Sequence, residues 1–231
     1  FTPVFTELIQ KIAEKIPVVL IGEKDTLKGL DTVELNSKKT GELVAQHLLD
    51  LGHRKAAYLS TPLTQRQSAR RARMKGFYET FQRAGYQDSV YVRSLPEQMD
   101  TLFQEIDMEY RTGYELASEV IREIPDLTAM AGSSDMVALG IHDALIDFHY
   151  KIPEEISVAG CDNLLISGMR GIDLTTVEHF APRKGEDACL LLLEKIEEKR
   201  EKRAKEKGMI HHIEYEPCLI VRGSTSYPKK L

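Results

Sequence analysis

The stretch Thr128-Ala129-Met130-Ala131-Gly132-Ser133-Ser134-Asp135 joins a short apolar strand to a polar turn and to the first residue of a predicted helix. The stretch Ile156-Ser157-Val158-Ala159-Gly160-Cys161-Asp162-Asn163 has the same arrangement of strand and polar end. Apolar strands that alternate with helices predict an α/β protein with a mostly parallel sheet. Ligands bind beyond the carboxyl ends of such strands, so the residues that follow each strand are the candidate site.

The alternation extends outward from these two stretches in both directions. Short apolar runs predict further strands at 18–21, 56–59, 175–177 and 218–221. Apolar residues at helical spacing predict helices over 8–16, about 38–51, around 74–81 and 114–124, from Asp135, and from about Arg183. The order of elements therefore supports the doubly wound arrangement along most of the chain.

The composition is that of an ordinary globular protein, with 231 residues of which 42% are hydrophobic and 29% charged. The net charge of -5 does not fit a basic nucleic-acid-binding chain. No stretch is apolar and long enough to span a membrane, and we expect no signal peptide. The three cysteines have no CxxC spacing and fit a reducing cytoplasm, and the apolar runs around Cys189 and Cys218 predict buried thiols. Because the chain begins at Phe1 without an initiator methionine, we expect it to be a fragment.

Polar residues at three strand ends form the candidate ligand site. Ser134 and Asp135 follow one strand, Asp162 follows another, and Arg73 lies in the helix after a third. Hydroxyls, carboxylates and a guanidinium suit a small polyhydroxylated ligand. Each residue also has a structural alternative: Ser134 and Asp135 as helix caps, Asp162 in an Asx-turn, and Arg73 in a salt bridge.

An ordered set of motifs resembles the effector-binding domain of the LacI/GalR repressor family. The motifs are Gly52-His53-Arg54-Lys55-Ala56-Ala57, Arg73-Met74-Lys75-Gly76-Phe77, Thr128-Ala129-Met130, Ser134-Asp135-Met136-Val137-Ala138-Leu139-Gly140, residues 152–163, Leu174-Thr175-Thr176-Val177 and Leu219-Ile220-Val221-Arg222-Gly223-Ser224-Thr225. Each motif is weak alone, but the ordered set from about residue 17 to 225 is specific.

The resemblance implies a periplasmic-binding-protein type I-like fold, with two doubly wound parallel-sheet subdomains joined by three crossovers and an effector held in the cleft. It places 1–52 plus 181–216 in an N-terminal subdomain whose first part is missing, and 53–180 plus 217–231 in a C-terminal subdomain. It also implies a homodimer and operator DNA bound through an N-terminal helix-turn-helix absent from this chain. Effector binding would then change operator affinity allosterically.

The resemblance implies ligand contacts at several positions in this chain. Arg73 matches an arginine that grips ligand hydroxyls or an acidic group, and Asp162 matches a carboxylate that accepts from sugar hydroxyls. Met108 lies where the family often has a stacking aromatic ring, which Tyr110 would supply instead. Phe180 or Ala181 lies near the second crossover, where an aromatic ring often lines the family's cleft. Ser134 stands where the family usually has asparagine, so the effector is a sugar or a related molecule of open identity.

The main alternative is a solute-binding protein of a sugar transporter, which shares this fold. We expect a cytoplasmic, non-enzymatic sensor with no cofactor, no metal and no membrane contact. His211-His212 predicts a surface pair, because no third ligand is near in sequence. The charged run 199–207 predicts a solvated helix end, because glutamates are interleaved with its lysines and arginines.

Overall fold

A computed structural model describes residues 3–22, 27, 29–64, 68–96, 107–200 and 209–229. Within those residues the order of elements is α1 (Pro3–Ala13), β1 (Val19–Ile21), β2 (Asp31–Leu35), α2 (Ser37–Asp50), β3 (Ala56–Ser60), α3 (Ser68–Arg83), β4 (Val90–Ser94), α4 (Met108–Glu123), β5 (Ala129–Gly132), α5 (Asp135–Asp147), β6 (Ser157–Ala159), β7 (Thr176–Glu178), α6 (Ala181–Arg200), β8 (His212–Tyr215) and β9 (Cys218–Ile220). The predicted α/β class is confirmed. Residues 201–207 of the charged run lie outside the described part.

The chain forms two compact units, and each is built from two separate segments. Unit 1 comprises Phe1–Asn36 and Phe180–Glu216, and unit 2 comprises Ser37–His179 and Pro217–Leu231. The first boundary therefore precedes α2, whereas we expected it after residue 52. The physical reason is that α2 buries Val44, Ala45 and Leu48 in the core of unit 2.

Unit 1 is a parallel three-stranded sheet in the order β1-β2-β8, which packs against α6. Val33 of β2 is fully buried against Ala188 and Leu191 of α6. Ile213 and Tyr215 of β8 pack on the same small core. Because side chains alternate across a strand, the residues between these apolar positions lie on the other face of the sheet.

Unit 2 has a parallel four-stranded sheet in the order β4-β3-β5-β6 and an antiparallel pair β7-β9. Both faces of the central strand β3 are buried: Ala57 and Leu59 belong to one core cluster, and Ala56 and Tyr58 belong to another. A strand buried on both faces explains the continuous apolar run that identified β3 in the sequence.

Helices α2 and α3 approach each other unusually closely through two glycines. A Cβ atom on Gly41 would lie 1.8 Å from the carbonyl oxygen of Arg73, and one on Gly76 would lie 2.0 Å from that of Lys38. Helices α4 and α5 have an equivalent contact, through Gly113 and Gly140. These glycines let the paired helix backbones touch, so larger residues at these positions have no room.

The C-terminal segment 222–226 is hydrogen-bonded to several elements of unit 2. The Ser224 hydroxyl donates to the carbonyl oxygen of Val158 at 2.6 Å and accepts from the amide of Thr175 at 2.8 Å. The Arg222 guanidinium donates to the side-chain oxygen of Asn163 at 2.6 Å. This segment therefore ties β6 to the strand region that follows it.

His53 is a buried connection between strand starts and the C-terminal segment. Its Nδ1 lies 2.9 Å from the Thr128 hydroxyl, and its Nε2 lies 3.0 Å from the Ser157 hydroxyl and 2.9 Å from the carbonyl oxygen of Ser226. Desolvation by burial lowers the pKa of His53 to about 4, against the opposing effect of the Ser226 hydrogen bond. The ring is therefore neutral near pH 7 and donates from Nε2 to Ser226.

This burial predicts a loss of stability in mild acid. Below the ordinary pKa of 6.5 the unfolded chain takes up a proton at His53, whereas the folded chain does so only near pH 4. The free energy of unfolding should therefore fall by about 3 kcal/mol more in the wild type than in His53→Gln as pH drops through this window. Urea unfolding of both proteins at several pH values checks it, and equal pH dependence would contradict it.

Three strands and two cysteines differ from the expectations drawn from the sequence. Strands β2, β4 and β8 carry charged or polar residues between their apolar positions, so their apolar runs are too short to stand out.

The expectation that Cys189 and Cys218 are buried is wrong: both are exposed, and Cys161 is buried. Helix α6 also exposes Leu190 and Leu193, so its apolar stripe is wider than the surface it covers. Among the described residues, no helix is long and apolar enough to cross a bilayer.

Candidate ligand-binding site

The carboxyl ends of three neighbouring strands bring polar residues together in unit 2. Leu59 of β3 is in register with Gly132 of β5, and Ala131 of β5 is in register with Ala159 of β6. Ser60, Ser133 and Asp162 lie at or just beyond these ends. The parallel register thus gathers on one edge of the sheet the three strand ends to which the sequence pointed.

Arg73 extends from α3 into this edge of the sheet and is 7% exposed. Its Nη1 donates to the carbonyl oxygen of Ser133, and the same nitrogen lies 3.9 Å from Oδ1 of Asp162. The distance to Asp162 is too long for a hydrogen bond, so the two groups interact mainly through their charges. The guanidinium of Arg73 has further N–H donors, and the carboxylate of Asp162 lies beside it. Together these groups are suited to hold a polar ligand.

Asp162 is held in a backbone conformation that few residues adopt. Its φ angle is +132° and that of Asn163 is +53°. The Asp162 amide donates to the carbonyl oxygen of Val177 at 3.0 Å, which fixes this turn beside β7. Non-glycine residues at positive φ cost free energy and concentrate at functional sites. The turn directs the Asp162 side chain toward both Arg73 and His179.

His179 completes this group, although the sequence analysis did not select it. Its Nδ1 lies 2.9 Å from Oδ1 of Asp162. It follows directly after β7, so the rule that strand ends carry the site would have identified it. In the neutral ring, Nδ1 donates to Asp162 and Nε2 carries a lone pair that can accept a hydrogen bond.

Several buried polar atoms near these strand ends have no protein partner within the described part of the chain. They are the hydroxyl oxygens of Ser60, Thr61 and Ser133, Nε of Arg73, and Nε2 of His179. Buried polar atoms in folded proteins are nearly always hydrogen-bonded, to protein or to bound molecules. Their concentration here gives the site several unused donors and acceptors.

Asp135 and Ser134 have extensive structural roles beside the site. The Ser134 hydroxyl caps α5 by accepting from the amide of Val137 at 3.2 Å, and it donates to Glu109 at 2.7 Å. Asp135 is fully buried, and its carboxylate accepts from the Leu164 amide at 2.8 Å and from the hydroxyls of Ser167 and Thr176, each at 2.5 Å. Burial raises the pKa of Asp135, while these three hydrogen bonds oppose the shift. Ser134 is thus the cap, and Asp135 connects α5 to two neighbouring segments.

Three further candidates remain, and the contacts described for them give none a ligand role. Met108 begins α4 and is 9% exposed, whereas the Tyr110 hydroxyl donates to Asp143 at 2.6 Å. That hydrogen bond raises the pKa of Tyr110 to about 12. Phe180 belongs to unit 1 at a φ of +50°, with its ring centroid 5.6 Å from that of Tyr215. The structure therefore groups Arg73 and Asp162, and it leaves the roles of the other three as predictions.

Cys161 lies within the same region without the properties of a nucleophile. Its side chain is buried, and burial raises the pKa of the thiol to about 12. The thiolate is the reactive form of cysteine, so a thiol with this pKa is almost wholly unreactive near neutral pH. This chemistry supports binding at the site rather than covalent catalysis through Cys161.

Comparison with known proteins identifies the family to which the chain belongs. A profile of the periplasmic binding protein-like domain family matches residues 45–225. The chain belongs to this family. The periplasmic binding protein-like domains share the α/β fold with parallel sheets seen here, and the resemblance to the LacI/GalR effector-binding domain noted from the sequence is confirmed.

Three relatives of this periplasmic binding protein-like domain are informative. An HTH-type transcriptional repressor PurR from Mannheimia succiniciproducens is 32% identical over 209 residues, which cover 90% of this chain and 57% of the repressor. The crystal structure of a LacI transcriptional regulator from a Rhodococcus species has a TM-score of 0.79 at 23% identity, covering 98% of this chain and 76% of that one. A LacI family regulator from Enterococcus faecium, with bound ribose, has a TM-score of 0.77 at 22% identity, covering 99% and 77%. The chain therefore spans less than two thirds of the curated repressor.

Proposed function

We propose that this chain is the effector-sensing domain of a DNA-binding transcriptional repressor, and that a small polar effector binds at the strand-end group of unit 2. The observation that carries the proposal is the group Arg73–Asp162–His179, which lies beside buried polar atoms that have no partner among the described residues. Relatives that are transcriptional repressors, and a ribose-bound regulator of the same fold, support it.

Each residue of the group has a distinct role in this proposal. Arg73 donates to ligand hydroxyls or to an acidic group, and Asp162 accepts from ligand hydroxyls. His179, whose ring is oriented by Asp162, accepts from the ligand at Nε2. Ser134 and Asp135 support the site without binding the ligand, because their side-chain oxygens are already hydrogen-bonded within the protein. Their partners are Val137, Glu109, Leu164, Ser167 and Thr176.

The rest of the proposal concerns the whole protein. A sugar or sugar-like effector would change operator affinity allosterically in a homodimer that binds DNA through a helix-turn-helix outside this chain. Such a regulator acts in the cytoplasm and turns over no substrate. The high pKa of the Cys161 thiol is consistent with the absence of nucleophilic catalysis at the site.

Ligand-induced stabilisation tests this assignment. We expect a sugar, phosphosugar or nucleoside from a screening panel, which includes ribose, to raise the melting temperature of the wild type. Arg73→Met and Asp162→Asn should each weaken binding of that compound about 30-fold, because each removes a charge-assisted hydrogen bond. Isothermal titration with the selected compound measures this loss.

A control on the same helix separates specific from general effects. Lys75 lies on α3, where its ammonium group is 3.6 Å from Glu79 with a largely exposed side chain. Lys75→Ala should therefore bind the compound like the wild type. Retention of full affinity by both Arg73→Met and Asp162→Asn would show that the effector binds elsewhere.

A further inference from the structure

A second polar cluster lies in unit 1, on the sheet face opposite the apolar contact with α6. It is formed by the neighbouring strands β2 and β8, whose parallel register pairs Thr32 with His212 and Glu34 with Glu214. Side chains alternate along strands, so these four residues share one face, while Val33 and Ile213 point to the other. The effector site proposed above involves none of these residues.

Three potential ligand atoms converge within this cluster. Nε2 of His212 lies 3.0 Å from a carboxylate oxygen of Glu34 and 3.7 Å from one of Glu214. All three donor atoms lie within 4.8 Å of one another. Around a tetrahedral zinc ion with bonds of about 2.0–2.2 Å, the ligand atoms are about 3.4 Å apart. The distances from His212 to the two carboxylates, 3.0 and 3.7 Å, lie on either side of that value. Small side-chain movements would therefore let all three groups bind one ion.

The histidine ring is already oriented for this arrangement. Nδ1 of His212 lies 2.6 Å from the hydroxyl of Thr32. Metal-binding histidines characteristically use the second ring nitrogen in this way, which fixes the ring and directs the other nitrogen toward the ion. The Glu214 carboxylate is also positioned, because its other oxygen accepts from the Asn36 amide at 2.9 Å.

Burial further distinguishes this cluster from a pair of surface carboxylates. The side chain of Glu34 is 8% exposed, whereas those of His212 and Glu214 are each 32% exposed. One ligand is thus deep in the protein, and the other two face solvent from which an ion and a water molecule can enter. Glu34 and Glu214 are also directly opposite on adjacent strands, where like charges repel and a cation between them is favourable.

We propose that Glu34, His212 and Glu214 bind a divalent transition-metal ion, with Zn²⁺ as the fitting case and a water molecule as its fourth ligand. One imidazole and two carboxylates suit Zn²⁺ or Mn²⁺, whereas Ca²⁺ and Mg²⁺ prefer oxygen ligands alone. The sequence showed only the histidine pair, because Glu34 lies far from it along the chain. Binding would clamp β2 to β8, and each of these strands leads directly to a boundary with unit 2.

The competing arrangement is an ion pair without metal, in which protonated His212 donates to Glu34. The two arrangements differ in their response to Zn²⁺, because only the metal site takes up the ion through Glu34, His212 and Glu214.

Isothermal titration with Zn²⁺ tests the site in the full chain. The parent protein carries Cys189→Ser and Cys218→Ser, because both of these cysteines are exposed and thiolates bind zinc. We expect one ion per chain, with Glu34→Gln and His212→Ala each lowering the affinity at least tenfold. Thr32→Val should lower it about tenfold through the loss of ring orientation. Mg²⁺ should not compete.

His211→Ala is the matched control, since it removes the adjacent imidazole without touching the three ligands. It should retain the affinity of the parent. Absence of zinc uptake, or uptake that persists in both Glu34→Gln and His212→Ala, would overturn the proposal, as would equal losses in His211→Ala and His212→Ala. If the circular dichroism spectrum of Glu34→Gln departs from that of the parent, zinc affinity is measured in Glu214→Gln instead. The Glu214 side chain is partly exposed, so its substitution should leave the fold intact.

Discussion

Gly76→Ala is expected to lower the free energy of unfolding by about 3 kcal/mol, the upper end of the cost of overpacking a protein interior. The added methyl group would lie 2.0 Å from the carbonyl oxygen of Lys38 and 3.1 Å from the amide nitrogen of Glu42. These are backbone atoms of α2, so a side-chain rotation cannot relieve the contact. Helices α2 and α3 must separate, which disturbs the packing of Phe77 and Val44 beneath them. Urea unfolding followed by circular dichroism measures the change.

Gly185→Ala is the control for this substitution. Gly185 lies within α6, and a Cβ atom there would meet no other atom within 4 Å. Alanine favours helix over glycine, so this variant should gain about 0.5–1 kcal/mol. If Gly76→Ala were as stable as the wild type, the close contact between α2 and α3 would not exist in solution.

Asp135→Ala should cost about 4 kcal/mol, because it removes the acceptor for three buried donors at once. The Leu164 amide and the hydroxyls of Ser167 and Thr176 all lose a hydrogen bond, and each unsatisfied buried group costs about 1–3 kcal/mol. Asp135→Asn keeps the size and one oxygen acceptor, so its cost should be about half as large. Urea unfolding of the two variants provides the comparison.

Asp143→Ala is the matched control on the same helix. Its side chain is 53% exposed and accepts from the Tyr110 hydroxyl at the surface, so its loss should change stability by about 0.5 kcal/mol or less. An Asp135→Ala protein as stable as Asp143→Ala would contradict the structural role of Asp135. If Asp135→Asn were stable but bound the effector more weakly, Asp135 would be a ligand residue, as the sequence first indicated.

The sequence predicted the fold class because the strands that define unit 2 are buried on both faces. β3, β5 and β6 therefore appear as short, nearly continuous apolar runs. The sequence does not indicate on which side of the first boundary α2 lies, because its amphipathic pattern is the same whichever core it packs against. Its burial in the core of unit 2 through Val44 and Leu48 is a tertiary property.

For the candidate site, the strand-end rule brings Arg73 and Asp162 together, as the sequence indicated, but it cannot separate ligand residues from structural ones. His179 joins them from the end of β7, where the resemblance to the family drew attention to Phe180 instead. Ser134 and Asp135 have the same residue types as ligand contacts, yet they are engaged by protein donors and acceptors. Only the three-dimensional partners of an oxygen atom distinguish these cases.

The connection between His53 and Ser226 has a consequence for the order of events during synthesis. The ribosome makes these two residues 173 positions apart, and unit 1 contributes its second segment between them. The four-stranded sheet of unit 2 is complete in sequence once β6 has been made, whereas His53 and Ser157 lack the Ser226 contacts until Ser226 is made. A nascent chain halted before residue 222 should therefore be a better chaperone client and protease substrate than one that extends past residue 226.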